Sequence, residues 1–288
     1  MAPIPFLVVL GVAVVGIVSH RVIMGGVETP DLDFGSGNMF DFIAGRYDAI
    51  NRILAFRMDV GWRKKMIQKI QTHLEEHHIE YPNILDVSTG TADVALMTAK
   101  MIPQATIVGV DPSHGMLDVG RKKISKKRLD DNIRLEWADA RDFSNYESDS
   151  FDAGTMAFGI RNIPERDLAL CEIHKVMKPN SLFTILEFSE PDPESTGWLG
   201  KTAQLFIGHV VPFVGGILSG KPKMYKHLQN SIQNFPSPKD FKKLVDQLQC
   251  TDGSFTVDEI MDLNFGSVQI YSIHIHKKLA EQATAGAD

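Results

Sequence analysis

Residues 84–93 read Ile-Leu-Asp-Val-Ser-Thr-Gly-Thr-Ala-Asp, a short apolar run that breaks into a turn of small residues and then opens a helix. This strand–turn–helix unit recurs along the chain. Strands are expected at 84–87, 106–110, 133–137, 151–158 and 182–188, alternating with helices at 94–101, 116–124 and 167–177. That rhythm predicts a parallel sheet covered by helices on both faces. Two further apolar runs, 255–260 and 267–275, have no helix between them and should close the sheet as an antiparallel pair. The expectation is an α/β fold around a seven-stranded mixed sheet, mostly parallel with one antiparallel strand. Phe40, Ile43, Tyr47, Ile50 and Leu54 recur at helical spacing, a second helix is expected at 62–77, and Pro238 opens a third.

With 288 residues, 43% of them apolar, the chain can build one large core. A net charge of −6 with no basic stripe argues against nucleic acid as a partner. Cys171 and Cys250 fall outside any ligand spacing, which argues against a disulfide framework or a zinc site and suits a reducing compartment. Residues 4–18 are almost wholly apolar and are closed by Ser19-His20-Arg21. The segment 1–24 is read as an N-terminal apolar helix serving as membrane anchor or targeting segment, with a buried core helix as the plain alternative. Residues 25–38 read as a linker and 280–288 as a flexible tail. The apolar, Gly-rich stretch 198–219 is a lid, a membrane-facing patch or a buried helical hairpin.

Four positions carry chemistry in an ordered way. The turn after the first strand, Asp86-x-Ser88-x-Gly90-Thr91, has the spacing of a nucleotide-binding loop, although Ser88 and Ala92 stand at glycine positions and no phosphate-loop lysine follows. Asp111 ends the next strand, where a carboxylate can accept from both ribose hydroxyls. Asp139-Ala140 follows the third strand, where an adenine edge would be read. Arg161 lies in Phe158-Gly159-Ile160-Arg161-Asn162, after the fourth strand. Acidic residues that merely cap helices are the plain alternative for the set.

This order resembles that of S-adenosylmethionine-dependent methyltransferases, and more closely the ubiquinone/menaquinone-biosynthesis C-methyltransferase family. The resemblance is carried by Phe40-Asp41 with Tyr47-Asp48 and Asn51, by Phe158 to Asn162, by Val176-Met177-Lys178-Pro179, and by Leu186-Glu187-Phe188-Ser189. Gly208 to Pro212, and Tyr225 with Leu228 and Ser231-Ile232, complete it. It implies a Rossmann-like catalytic domain over 39–279 with a lid insertion at about 195–235. The implied cofactor is S-adenosyl-L-methionine, held by Asp86, Ser88, Gly90, Thr91, Asp111, Asp139, Ala140 and Ala157. The implied reaction is methylation of a ring carbon of a polyprenylated benzoquinol or naphthoquinol. Arg161, Tyr47 and Tyr225 are the implied catalytic residues, with Arg161 stabilising a developing phenolate and the tyrosines holding ring hydroxyls. A guanidinium stays protonated, so Arg161 is no free base; a salt bridge with Glu165 or Glu187 is its plain alternative.

The resemblance also implies a membrane surface as partner, because a polyprenyl tail lives in a bilayer, and the matrix face of the mitochondrial inner membrane as location. A quinone-biosynthesis complex or a homodimer is a further expected partner. The chain departs from the family pattern at Thr89, Ala92 and Ala157, at Gly220-Lys221, and at His227, where the family has a second lid tyrosine. These departures leave two alternatives open: a methyltransferase for another lipid or phenol, and a non-catalytic scaffold subunit. Among weaker signals, His73 and His77 read as a solvated helix end, and His274 and His276 as an exposed strand edge. Lys122, Lys123, Lys126, Lys127 and Arg128 read as a solvated helix face, with contact to anionic lipid as the alternative.

Overall fold

Strands β1 (Asn83–Val87) and β2 (Thr106–Asp111) are buried at every position after the first. That is the pattern of strands with helices on both faces, where no alternation is needed. A computed structural model gives the structure over residues 37–41, 44–189 and 222–278. Three helices lead in: α1 (Asn38–Asp41), α2 (Ala44–Leu54) and α3 (Met58–Glu76). Then come β1, α4 (Asp93–Met101), β2, α5 (His114–Lys127), β3 (Ile133–Trp137), β4 (Phe151–Ala157), a 3₁₀ turn (Ile160–Asn162), α6 (Arg166–Val176) and β5 (Met177–Phe188). The chain closes with α7 (Pro222–Gln233), α8 (Pro238–Gln247), β6 (Gln249–Cys250), β7 (Gly253–Leu263) and β8 (Val268–Lys277).

The sheet order is β3-β2-β1-β4-β5-β8-β7-β6. The first five strands are mutually parallel, and β8 runs antiparallel to β5 with Leu182 opposite His274. The sheet therefore has eight strands rather than the expected seven. The extra one is Gln249–Cys250, which folds back on Ser254 and Gly253 and is too short to leave a periodic signal. It also adds a second antiparallel strand to the one expected.

The core lies on both faces of the sheet. One face packs Trp62, Met66, Ile67, Ile70 and Leu74, the apolar stripe of α3, against Ile84, Ile107, Ala153 and Leu186. The other packs α6 and α8, through Ile173, Phe241 and Val245, against Val87, Met156, Phe183 and Tyr271. Ser113 caps α5 by accepting from the Met116 N–H at 3.1 Å. Ser237 does the same for α8 at Asp240 N (3.2 Å), with Pro238 in the first turn as expected.

The structure corrects several expectations. Cys171 and Cys250 form a disulfide, with Cα atoms 5.4 Å apart. Sequence spacing could not reveal it, because the partners meet only once α6 packs beside β6. His73 is buried rather than solvated, its ring 4.2 Å from His77 and 5.5 Å from His274. Burial and its two imidazole neighbours lower its pKa to about 4. β8 is an interior strand rather than an edge, and His274 lies 3.1 Å from Asp258. In the basic run of α5, Lys123 turns inward while Lys122, Lys126, Lys127 and Arg128 stay exposed. No helix among the described residues is long and apolar enough to cross a membrane. The apolar segment 1–24, the linker up to residue 36, most of the 195–235 insertion and the 280–288 tail lie outside the described residues.

Candidate active site

Strand order reverses between β1 and β4, and in an open parallel sheet that switch point leaves a crevice at the carboxyl ends of the strands. A cleft opens there. It is lined by Ser88 and Gly90 after β1, Asp111 and Pro112 after β2, and Ala157, Phe158 and Gly159 after β4. Gly37 just before α1, Phe40 and Tyr47 of the leading helices, Met116 of α5, Asn162 of the 3₁₀ turn with Ile163 after it, and His227 of α7 close it.

The loop after β1 is built by its backbone. Ser88, Gly90 and Ala92 all have positive φ (55°, 54° and 64°), a conformation that costs an L-residue roughly 1–2 kcal/mol. Compensating bonds hold the loop. Asp111 accepts the Gly90 N–H on one carboxylate oxygen (2.8 Å) and the Ser113 N–H on the other (2.9 Å). Burial, with the negative charges of Asp86 and Asp41 nearby, raises the Asp111 pKa to about 6 against these two bonds. Gly159 approaches so closely that a Cβ there would lie 2.6 Å from Ser88 Cβ. Glycine is therefore required where the β1 and β4 loops meet.

Asp86 is buried behind this loop. It accepts the Thr89 hydroxyl at 2.6 Å and the Thr155 hydroxyl at 2.8 Å, and burial raises its pKa to about 6. Thr89, a departure from the family pattern, thus points into the protein and does not line the cleft.

The leading helices are tied to the loop by a charge network that sequence reasoning missed. Thr91 donates its hydroxyl to Asp48 (2.6 Å), and Lys123 bonds Asp48 (2.9 Å), Thr91 (3.0 Å) and Asp93 (2.5 Å). Arg52 reaches Asp93 at 2.5 Å and also pairs with Asp59. Asp41 accepts from the Ser113 hydroxyl (2.5 Å) and the Gly115 N–H (2.7 Å). Asp48 therefore anchors α2, and its neighbour Tyr47 is held in the cleft wall.

At the other end of the cleft, Arg161 is buried. Its Nη1 donates to Glu187 Oε1 at 2.6 Å and to the Phe158 carbonyl at 2.7 Å, while its Nε has no partner among the described residues. The plain alternative for Arg161 is thus present in part: it pairs with Glu187, whereas Glu165 pairs with Arg141 (2.6 Å). Arg161 also lies 5.6 Å from the Phe188 ring, and Arg63 lies 5.7 Å from the Phe158 ring. Phe158 and Phe188 pack on each other at 4.7 Å, so the two cations flank one aromatic pair. Burial raises the Tyr47 pKa, and the positive charges of Arg161 and Arg63 only partly offset it. Burial and then the Arg161 charge lower the pKa of His227.

Of the residues singled out from sequence, Tyr47, Ser88, Gly90, Asp111 and Ala157 line the cleft. Asp86 and Thr91 support the loop from behind. Asp139 is engaged by Arg141 at 2.7 Å; burial works to raise its pKa, and the Arg141 bonds outweigh this and lower it. Asp139 and Ala140 do not line the cleft, and Arg161 borders it through its neighbours Gly159 and Asn162. Tyr225 lies on α7, with its side chain outside the described residues. Phe40, Met116 and His227 are cleft residues that sequence reasoning did not mark as functional; the only signal for His227 is that it replaces a family tyrosine.

The chain is 36% identical over 235 residues to the ubiquinone/menaquinone biosynthesis C-methyltransferase UbiE of Geotalea daltonii, covering 81% of this chain and 93% of that protein. It is 35% identical over 207 residues to the demethylmenaquinone methyltransferase of Thermus thermophilus, covering 72% and 89%. Among solved structures, a putative S-adenosyl-L-methionine-dependent methyltransferase of Methanococcus maripaludis superposes with a TM-score of 0.56 at 14% identity, covering 88% of this chain and 99% of that one. The [4+2]-cyclase SpnF superposes at 0.54 with 14% identity, covering 88% and 100%, so this likeness speaks for the fold and not for one reaction. The sequence profile of one family matches residues 33–275, and with the two relatives it shows that the chain belongs to the ubiE/COQ5 methyltransferase family.

Proposed function

We propose that this S-adenosylmethionine-dependent methyltransferase methylates a ring carbon of a polyprenylated benzoquinol or naphthoquinol in ubiquinone or menaquinone biosynthesis. The observation that carries the reading is the likeness to relatives named for those two reactions, together with a family match over residues 33–275 that takes in the cleft-forming residues. The catalytic domain is read as 39–279, with 195–235 as its lid.

Two features of the cleft fit the cofactor. A Cβ built on Gly90 would meet nothing within 4 Å, so the backbone there faces open space that a ligand can enter. Each Asp111 oxygen accepts one backbone N–H and keeps a lone pair for a ribose hydroxyl. Ser88, Gly90 and Ala157 would border the methionine part. Asp86 and Thr91 would hold the loop, and Asp139-Ala140 would sit toward the adenine. When bound, the cofactor supplies a methyl group activated on a positively charged sulfur.

The chain's own residues do the rest. A quinol ring carbon becomes nucleophilic as an adjacent hydroxyl loses its proton. Arg161 presents a fixed positive charge to the oxygen where negative charge develops, in a site shielded from water. Glu187 and the Phe158 carbonyl fix its direction, and the aromatic pair Phe158 and Phe188 excludes solvent. Tyr47 and Tyr225 hold ring hydroxyls so that the carbon faces the methyl group in line.

The apolar segment 1–24 and the stretch 206–218 would bring the cleft to a membrane carrying the prenylated substrate. Our reading of location is the matrix face of the mitochondrial inner membrane, alone, as a homodimer or within a quinone-biosynthesis complex; the Geotalea and Thermus relatives are bacterial proteins. The scaffold alternative loses support because Thr89 points away from the cleft. The test is calorimetric titration with S-adenosylmethionine, followed by anaerobic assay of demethylated benzoquinol and naphthoquinol acceptors. Micromolar cofactor binding that Asp111→Ala abolishes, with methyl transfer to one acceptor class, is expected. Cofactor binding without transfer to either class would overturn the reading.

A further inference from the structure

We propose that Lys123 is a positioning residue that couples the cofactor loop to the helix presenting Tyr47, so that a filled cofactor site sets the fit of the substrate ring. What Tyr47 holds rests on the quinol reading; the coupling rests on the ion network alone.

Helix α5 reaches the β1 loop because Gly120 has no side chain. A Cβ there would lie 3.2 Å from Ala92 Cβ and 3.3 Å from the Thr91 carbonyl carbon. One turn further on, Lys123 turns toward the loop while Lys122, Lys126 and Lys127 stay exposed. Its ammonium has three protons and meets three acceptors: Asp48 Oδ2 at 2.9 Å, Thr91 Oγ1 at 3.0 Å and Asp93 Oδ1 at 2.5 Å. Thr91 in turn donates its hydroxyl to Asp48 Oδ1 at 2.6 Å. Lys123, Thr91 and Asp48 thus close a ring of hydrogen bonds, with the Lys123 and Asp48 side chains at 24% and 32% exposure.

This ring joins α2 to the loop. The apolar contact of α2 with α5 is a small cluster of its own, Ala44, Ile50 and Met116 with Tyr47 and Val119 beside them, separate from the two large cores. So little buried apolar surface leaves the seat of α2 dependent on the ring. Without Lys123, Asp93 would keep Arg52 at 2.5 Å, whereas Asp48 has no second cation among the described residues. Removing Lys123 therefore acts chiefly on α2. On the other side of the ring, Thr91 follows Gly90, whose N–H donates to Asp111 at 2.8 Å and whose backbone faces open space. A cofactor that touches Gly90 and Asp111 steadies Thr91, and the ring carries this to Asp48 and its neighbour Tyr47. Such coupling is reciprocal: the quinol tightens the cofactor by the factor with which the cofactor tightens the quinol.

The experiment compares the full chain with Lys123→Met, Lys123→Arg and the exposed control Lys122→Met. S-adenosylhomocysteine fills the cofactor site without turnover, and short-tailed benzoquinol and naphthoquinol, kept reduced, are the substrate probes. In the wild type each ligand should tighten the other by about fivefold or more. In Lys123→Met that factor should fall to about one, and kcat should drop by about 10- to 100-fold. Lys123→Arg keeps the charge and should recover part of both, and Lys122→Met should match the wild type. Hydrogen exchange along α2 needs no quinol. S-adenosylhomocysteine should slow it in the wild type and leave it unchanged in Lys123→Met, whereas a merely structural lysine would raise exchange equally with and without ligand. If Lys123→Met binds no S-adenosylhomocysteine, Asp48→Asn, which opens the ring from the α2 side, carries the same test. A variant that keeps the wild-type coupling factor and the ligand-dependent protection of α2 overturns the assignment and leaves the quinol reading intact. So does a wild type whose α2 exchange ignores the ligand. A wild type that binds S-adenosylhomocysteine and neither quinol overturns the quinol reading, and the exchange measurement then decides the coupling by itself.

Discussion

The Arg161 guanidinium donates to the Glu187 carboxylate at 2.6 Å, and both side chains are sealed from solvent, at 6% and 0% exposure. A buried pair of this kind is stabilising only while both charges are present. Burial raises the Glu187 pKa, and the Arg161 charge with two further N–H bonds works against that rise. The pair connects the end of β5 to the turn after β4, so the Arg161 cation is aimed by the sheet itself.

Glu187→Gln keeps the shape and removes the negative charge. Arg161 would then be a buried cation without a counter-ion, at a cost of about 3–5 kcal/mol. Urea unfolding should show a loss of that size, and kcat should fall while cofactor affinity changes little, because Glu187 does not line the cleft. A variant as stable as the parent would show that Arg161 does not depend on Glu187.

Thr89→Val removes one of the two hydroxyls that bond buried Asp86 and keeps the side-chain volume. Leaving a buried acceptor short of a donor costs about 1–3 kcal/mol. Stability should fall by that amount, with cofactor affinity within about twofold, since the side chain faces away from the cleft. A large loss of affinity with normal stability would mean that Thr89 contacts the cofactor directly.

Much of this was legible in the sequence, for physical reasons. The strands of the parallel sheet are short apolar runs that must alternate with helices, so the first four strands from 84 onward could be placed to within a residue, whereas β5 begins at Met177, five residues before the apolar run at 182 that announced it. Asp111 was legible because it ends the strand after the β1 turn, where a carboxylate can meet a ribose. What stayed hidden depends on partners distant along the chain. The Lys123 contacts with Asp48, Thr91 and Asp93 need α5 to lie against α2 and the β1 loop, and nothing local separates Lys123 from its exposed neighbours. The two-residue strand Gln249–Cys250 carries no period, and His73 is buried where its ring meets that of His274 on β8, 201 positions on. Phe158 and Phe188, beside Arg161, belong to two motifs far apart in the chain, yet packing makes one surface of them.

Cofactor affinity should depend on pH through Asp111. Burial raises its pKa to about 6 in the unliganded cleft, and the form able to accept two ribose hydroxyls is the carboxylate. Above that value the carboxylate is already present and affinity is flat. Below it, binding must first remove a proton, so Kd should rise about tenfold per pH unit. Calorimetry at several pH values checks this, and Asp111→Asn should be both weaker and flat. An affinity that holds steady down to about pH 5 would mean that another group carries the ribose.

The Cys171–Cys250 bond closes a loop of 79 residues between α6 and β6. Cross-linking a loop of that length stabilises by about 4 kcal/mol in the chain-entropy account, because it restricts the unfolded chain more than the folded one. The unreduced protein should therefore yield no free thiol in denaturant, and reduction should lower the urea midpoint without changing cofactor affinity. Neither cysteine lines the cleft, so the Cys171→Ser/Cys250→Ser protein should bind S-adenosylmethionine as the parent does, with the lowered stability of the reduced form. Two titratable thiols in protein purified without reductant would show that the sulfurs merely pack together in solution.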